Sequence, residues 1–223
     1  MSTVISNDKH YKALGLKIRK VLATTIEYRP SEMPQAIKRI PNESEDFSVI
    51  TRGAVFSGNT AKMIGTRMYP SMFSGSDVDT FEIPESITDI PRCVFYGSKL
   101  KNIIIPSNVT SIGYSCFRYC AGLTAVEIHN SSISIGNRAF WNCDLLETLI
   151  FRDTTKVCSV SDADDIISTG LLGYGDGYIY VPSELLESYK SETCWSEYVD
   201  QFRALEDYTV DGTTTGEFDY SKI

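Results

Sequence analysis

Few side chains in this sequence stand where covalent chemistry would need them. His10 and His129 are its two histidines, far apart along the chain. Neither has a serine, cysteine or carboxylate nearby in a nucleophile–base–orienter arrangement. Glu184 and Glu187 are an acid pair of the type a glycosidase uses, yet they read more simply as the solvated face of a short helix. Cys116 and Cys120 are four residues apart, without the second ligand pair that a zinc site needs. Asp162, Asp164 and Asp165 lack the twelve-residue calcium loop. Gly173 to Gly177 precedes an expected strand over Tyr178 to Val181, whereas a dinucleotide loop follows a strand and opens a helix. The expectation is a non-enzymatic protein with no metal site and no cofactor.

Binding chemistry is better supplied. Ser74, Tyr96, Arg118 and Trp141 recur at a spacing of 22 to 23 residues, and aromatic rings with an arginine are common interface anchors. A second series, Glu82, Ile104, Glu127 and Ile150, alternates acid with apolar residues at the same spacing. That alternation, with Lys101 close to Ile104, suits a mixed protein or glycan contact. The candidate ligand-binding residues are therefore Tyr96, Arg118, Trp141, Lys101, Ile104, Glu127 and Ile150. The competing reading is that Tyr96 and Trp141 merely pack over the edge of a coil.

The elements that hold these residues are repeats. Ile112-Gly113-Tyr114-Ser115-Cys116-Phe117 to Leu123-Thr124-Ala125-Val126-Glu127-Ile128 is followed by Ile135-Gly136-Asn137-Arg138-Ala139-Phe140 to Leu146-Glu147-Thr148-Leu149-Ile150-Phe151. Five apolar columns run through four such units: Met68, Ile90, Ile112, Ile135; Phe73, Phe95, Phe117, Phe140; Val78, Leu100, Leu123, Leu146; Phe81, Ile103, Val126, Leu149; and Ile83, Ile105, Ile128, Phe151. A repeat of this length builds a solenoid in which each unit buries its apolar face against its neighbours. The Leu-x-x-Val-x-Ile segment predicts a short strand, and the Ile-Gly-x-x-x-Phe segment a compact turn or single helical turn. Gly113 and Gly136 are expected at a corner needing unusual dihedrals.

These units resemble the leucine-rich repeats of the BspA-like type, whose pattern Ile105-Pro106-Ser107-Asn108-Val109-Thr110-Ser111-Ile112-Gly113 follows closely. The resemblance covers roughly Met68 to Val181, and the segment from Gly177 to Tyr198 is similar to the closing segment of that family. It implies an α/β solenoid displaying a face for binding. Met68-Tyr69-Pro70 departs from the expected Ile-Gly.

Composition fits a globular protein, with 42% hydrophobic and 22% charged residues. Charge is uneven. Residues 1–42 hold eight Lys/Arg against three Asp/Glu, whereas residues 192–223 hold eight acids against two bases, in a chain of net −8. No nucleic-acid partner is expected for so acidic a solenoid. No stretch has the length of a membrane span, and Lys17 to Lys20 interrupt the one candidate for an export signal. Free thiols are expected in a protein made in the cytoplasm, where the acceptor triplets at Asn42, Asn108 and Asn130 carry no sugar.

At the amino end Tyr11, Leu14, Ile18 and Val21 make one apolar stripe on a helix, and Pro30-Ser31-Glu32 opens a second. The segment Tyr11 to Ile37 resembles a module of tail-associated structural proteins of phages and prophages. That resemblance implies a virion protein, made in the host cytoplasm and released by lysis. It would contact other virion proteins through an oligomerising 1–42 module, and a host-surface protein or glycan through the solenoid. A homo-oligomer is expected, and no membrane insertion. The alternative is a bacterial cell-surface or secreted adhesin. The expected divisions are 1–42, the helical attachment module; 43–66, a linker or degenerate cap repeat; 67–182, the solenoid; and 183–223, a helical cap with an acidic tail. In the cap, Leu185, Leu186, Tyr189, Trp195, Tyr198, Val199 and Phe202 would cover the last coil. The tail beyond Leu205 is polar enough to be disordered.

Overall fold

The computed structural model describes residues 49–51, 54–63, 65–158, 160, 167 and 175–223. The stripe of Tyr11, Leu14, Ile18 and Val21, with the whole 1–42 module, lies outside the described residues, as do Asp162, Asp164 and Asp165.

The described chain starts with an antiparallel meander, β1 (Val49–Thr51), β2 (Ala54–Ser57) and β3 (Thr60–Met63), and β3 pairs in parallel with β4 (Thr80–Phe81). From there each repeat crosses the molecule twice. On one side lie the two-residue strands β5 (Asp89–Ile90), β7 (Ser111–Ile112) and β9 (Ser134–Ile135), paired in parallel. On the other, β6 (Asn102–Ile105), β8 (Ala125–Ile128), β10 (Thr148–Phe151), β11 (Tyr178–Val181) and β12 (Phe202–Ala204) form a five-stranded parallel sheet in the order β12-β11-β10-β8-β6. The coil of β4 continues this side, the amide of Lys101 donating to the carbonyl of Asp79 at 3.1 Å. The isoleucine segment expected to be only a turn thus begins with a strand pair. One inward isoleucine and one outward polar residue are enough to form it.

All five apolar columns are buried. Because identical residues sit one coil apart, the rings of Phe73, Phe95, Phe117 and Phe140 stack at 5.2, 5.3 and 5.2 Å with interplanar angles of 13°, 6° and 7°. A column of small residues runs beside them. The Cys120 thiol donates to the carbonyl of Phe95 and the Cys143 thiol to that of Phe117, at 3.0 and 3.1 Å. Burial pushes the Cys120 thiol up to about 11, so both cysteines act as small buried donors. All six cysteines are free.

Between the two sheets the turns form their own ladder. The amides of Ser115, Phe117 and Tyr119 donate to the carbonyls of Asn137, Ala139 and Trp141, and those of Cys93, Phe95 and Gly97 to Tyr114, Cys116 and Arg118. Two columns at the ends of this ladder, four residues apart, have positive φ: Ser71, Cys93, Ser115, Arg138 and Gly75, Gly97, Tyr119, Asn142. Gly113 and Gly136 are not among them, which corrects the dihedral explanation. A Cβ on Gly113 would lie 2.4 Å from the Arg92 nitrogen, and one on Gly136 2.7 Å from that of Tyr114. Close approach of successive coils excludes a side chain there. Asn108 and Asn130 also serve the stacking, their amides donating to the carbonyls of Ile87 and Val109 at 2.6 and 2.8 Å.

The last coil is closed by the expected residues in an unexpected form. Tyr189, Trp195, Tyr198 and Phe202 are buried, but the backbone is a six-residue helix α1 (Leu186–Ser191), a 3-10 helix over Thr193–Gln201 and strand β12. An amphipathic helical cap does not describe it. Adding β12 satisfies the amide edge of β11, which a helix would leave open. Tyr189 and Trp195 pin one backbone position from both sides. The amide of Cys158 donates to the Tyr189 hydroxyl at 3.0 Å, and the Trp195 indole donates to the Cys158 carbonyl at 2.8 Å.

Candidate functional site

The outer face of the five-stranded sheet carries the column set by strand register. Ile104 lies opposite Glu127, Glu127 opposite Ile150, Ile150 opposite Tyr180, and Tyr180 opposite Arg203. Outward apolar residues on adjacent strands need cover, and the chain supplies it. Beyond β12 a 3-10 turn over Leu205–Tyr208 and a bridge between Thr209 and Phe218 fold the tail back onto the sheet. Ile150, Tyr180, Leu205 and Phe218 form a second buried cluster, with Tyr208 packed against it. The expected disorder of this tail is therefore overturned: its few apolar residues land on an apolar stripe.

One side chain latches the tail. Arg152 Nη1 donates to the carbonyls of Thr214 and Gly216 at 2.8 and 2.6 Å, while its Nε and Nη2 donate to Glu127 at 2.8 and 3.3 Å. Its side chain is 10% exposed and that of Glu127 16%. Burial alone would raise the Glu127 carboxyl, but hydrogen bonds from His129 and Arg152 outweigh it and hold the pKa below the ordinary glutamate value. Glu127 is thereby a structural anion under the tail.

Where the tail stops, a groove of about 700 Å³ opens between the sheet and residues 215–220. Ile104 and Ala125 form its floor, Phe218 and Tyr220 one wall, and Glu127, His129 and Arg152 one end. Ile104 is 55% exposed. A concave apolar site with a few convergent polar groups has the shape and size of a ligand or side-chain pocket.

The expected site residues thus divide. Ile104 and Glu127 meet at the groove. Ile150 does not: at 0% exposure it lies under the tail, because it faces Tyr180, Leu205 and Phe218. Lys101 is exposed and pairs with Asp79 at 3.5 Å. Tyr96, Arg118 and Trp141 lie half-buried along the turn edge, on another side of the coil. Sequence reasoning missed Arg152, Phe218 and Tyr220. The outward pair Ile150 and Tyr180, which had to be covered by something, was the signal that pointed to them.

Stacked parallel strands, one per repeat, with a phenylalanine ladder and a narrow sheet opposite, are the marks of a repeat solenoid. Residues 66–161 match the model of the BspA type leucine rich repeat region, in 6 copies. The repeat part of the chain is BspA-like, and a region of that type points to a protein-interaction or adhesin role. No curated protein matches the chain.

Proposed function

We propose that this is a non-enzymatic interaction protein whose solenoid binds a partner through the outer sheet face. The observation that carries this reading is Ile104, exposed by more than half at the floor of the groove beside a tail that buries the outward Ile150 and Tyr180 beyond it. A partner inserting an apolar side chain between Ile104 and Phe218 would extend the cluster the tail begins, with Glu127 and His129 setting orientation.

More specifically, the protein is a phage virion component, tail-associated or in a decoration or fibre, with host attachment as the role of the solenoid. The resemblance of residues 11–37 to phage tail-associated modules supports this. So does the charge contrast, since a basic first segment suits docking on acidic partners, a second copy included. The second reading, a bacterial surface adhesin, rests on the BspA-type repeats. Light scattering after size-exclusion chromatography separates the two. The full chain is expected to be a trimer or larger, and a Leu14→Glu/Ile18→Glu variant a monomer. Two monomers would sink the assembly role of residues 1–42 and leave the adhesin.

A further inference from the structure

A second surface lies on the turn edge of the coils, independent of the groove and of either reading above. The Arg118 guanidinium sits 4.7 Å over the ring of Tyr119, and its Nη2 donates to the Tyr119 hydroxyl at 3.1 Å. Tyr96 meets the same ring edge-on at 5.4 Å. One coil further, Arg138 lies 5.2 Å over the ring of Trp141.

Two features bear on what this edge can bind. Among the described residues neither Arg118 nor Arg138 meets a carboxylate, which is equally true of Arg67, Arg92 and Arg203, so both guanidiniums keep their charge available to an acid. The Arg118 Nε is buried without an acceptor among the described residues. The second feature is in the backbone. Tyr119 has φ +62° at the position that Gly75 and Gly97 occupy in the preceding coils and Asn142 in the next. A bulky side chain is disfavoured in that conformation, and Tyr119, 42% exposed, adds little to the core in return. Folding accounts for glycine or asparagine here and does not account for tyrosine.

We propose that this edge binds an acidic carbohydrate. Sugar rings present flat C–H faces that stack on Tyr119 and Trp141, while the guanidinium forks of Arg118 and Arg138 pair with carboxylate or sulfate groups in bidentate geometry. Coils about 4.8 Å apart repeat these contacts along a polymer. Single-stranded nucleic acid also uses aromatic rings and basic groups, and poly(dT) is therefore the competing ligand in the test.

The test is calorimetric titration of the full chain with polygalacturonate, heparin, neutral dextran and poly(dT). Polygalacturonate and heparin are expected to bind, more weakly as salt rises, and dextran not to bind. The relative affinity of the first two distinguishes carboxylate from sulfate. Variants borrow residues from equivalent coils so that the fold is kept: Tyr119→Gly as at Gly75 and Gly97, Arg118→Ser as at Ser74, and Arg138→Ser as at Ser71 and Ser115. Tyr119→Gly and the double arginine variant should each weaken binding at least about tenfold, with the thermal midpoint of Tyr119→Gly unchanged or raised. Failure of both acidic polymers to bind, equal binding by the variants, or tighter binding of poly(dT) would overturn the proposal.

Discussion

Phe95, Phe117 and Phe140 inside the coils stack nearly parallel, 6° and 7° apart. Tyr180 meets Tyr208 and Phe218 on the outside of the same sheet at 67° and 72°, both with centroids 4.8 Å apart. The first geometry is imposed by translation from coil to coil, where each ring sees a copy of itself. The second is chosen ring by ring where an aperiodic tail meets a periodic sheet. Both clusters exclude water, but they should fail differently. Removing a ring from the ladder damages two interfaces at once. Loosening the tail opens one local unit and leaves the coils standing.

The largest effect is expected within the ladder. Phe117→Ala should cost about 3–5 kcal/mol in chemical denaturation, since the ring is fully buried between two others. A loss under about 1 kcal/mol would mean that the coils can close around the gap. Glycine substitutions sharpen the same point. Gly113→Ala puts a Cβ against the backbone of the previous coil and should cost about 3 kcal/mol. Gly97→Ala meets open space at φ +64° and should cost only about 1 kcal/mol. Equal losses would show that coil spacing gives way more easily than the ladder geometry implies.

On the outer face, Arg152→Ala removes two hydrogen bonds to the tail and leaves Glu127 with His129 alone. Charge-assisted bonds of this kind contribute roughly 1.5–3 kcal/mol, and the loss should fall on opening of the tail. Hydrogen exchange at residues 209–218 is expected to speed up while β6 to β10 stay protected. Uniform loss of protection would make the tail part of the coil unit. Acid should do the same more gently. The folded pKa of Glu127 is depressed below 4.5, so its contribution is complete above that value and lost as the pH falls through the lower folded value. Exchange at 209–218 should rise there before the coils melt.

This contrast also explains what could be read from the sequence. The columns were legible because periodicity repeats the same physical demand four times, and Met68 to Phe151 fell into place residue by residue. The binding column was legible only in part. Alternation marked Ile104, Glu127 and Ile150 as outward, but nothing local tells whether an outward residue meets solvent or a distant segment. Ile150 was lost to the tail for that reason. Leu205, Tyr208 and Phe218 follow no period, and their stretch is polar on average, so composition hid a segment that folds by landing on a prepared surface. The cap shows the intermediate case. Spacing identified the residues that close the core, but a run of 3-10 turns and one strand delivers them as well as a helix does.

The smallest predicted change in stability is the one that decides what the groove is for. Ile104 lies in the same outward column as Glu127, its neighbour on β8, and is largely exposed, so the uncharged Ile104→Gln, which avoids facing Glu127 with a second carboxylate, should shift stability by no more than about 0.5 kcal/mol. If the groove is a binding surface, the same substitution places a polar amide on its apolar floor and should abolish partner binding with the thermal midpoint intact. If Ile104 instead packs against the tail in solution, the variant would lower the midpoint and speed exchange at residues 215–220 together. Exposure at Ile104 would then belong to the tail's own docking, and the partner surface would move to the turn edge, where Tyr119 and the two arginines stand outside the cluster altogether.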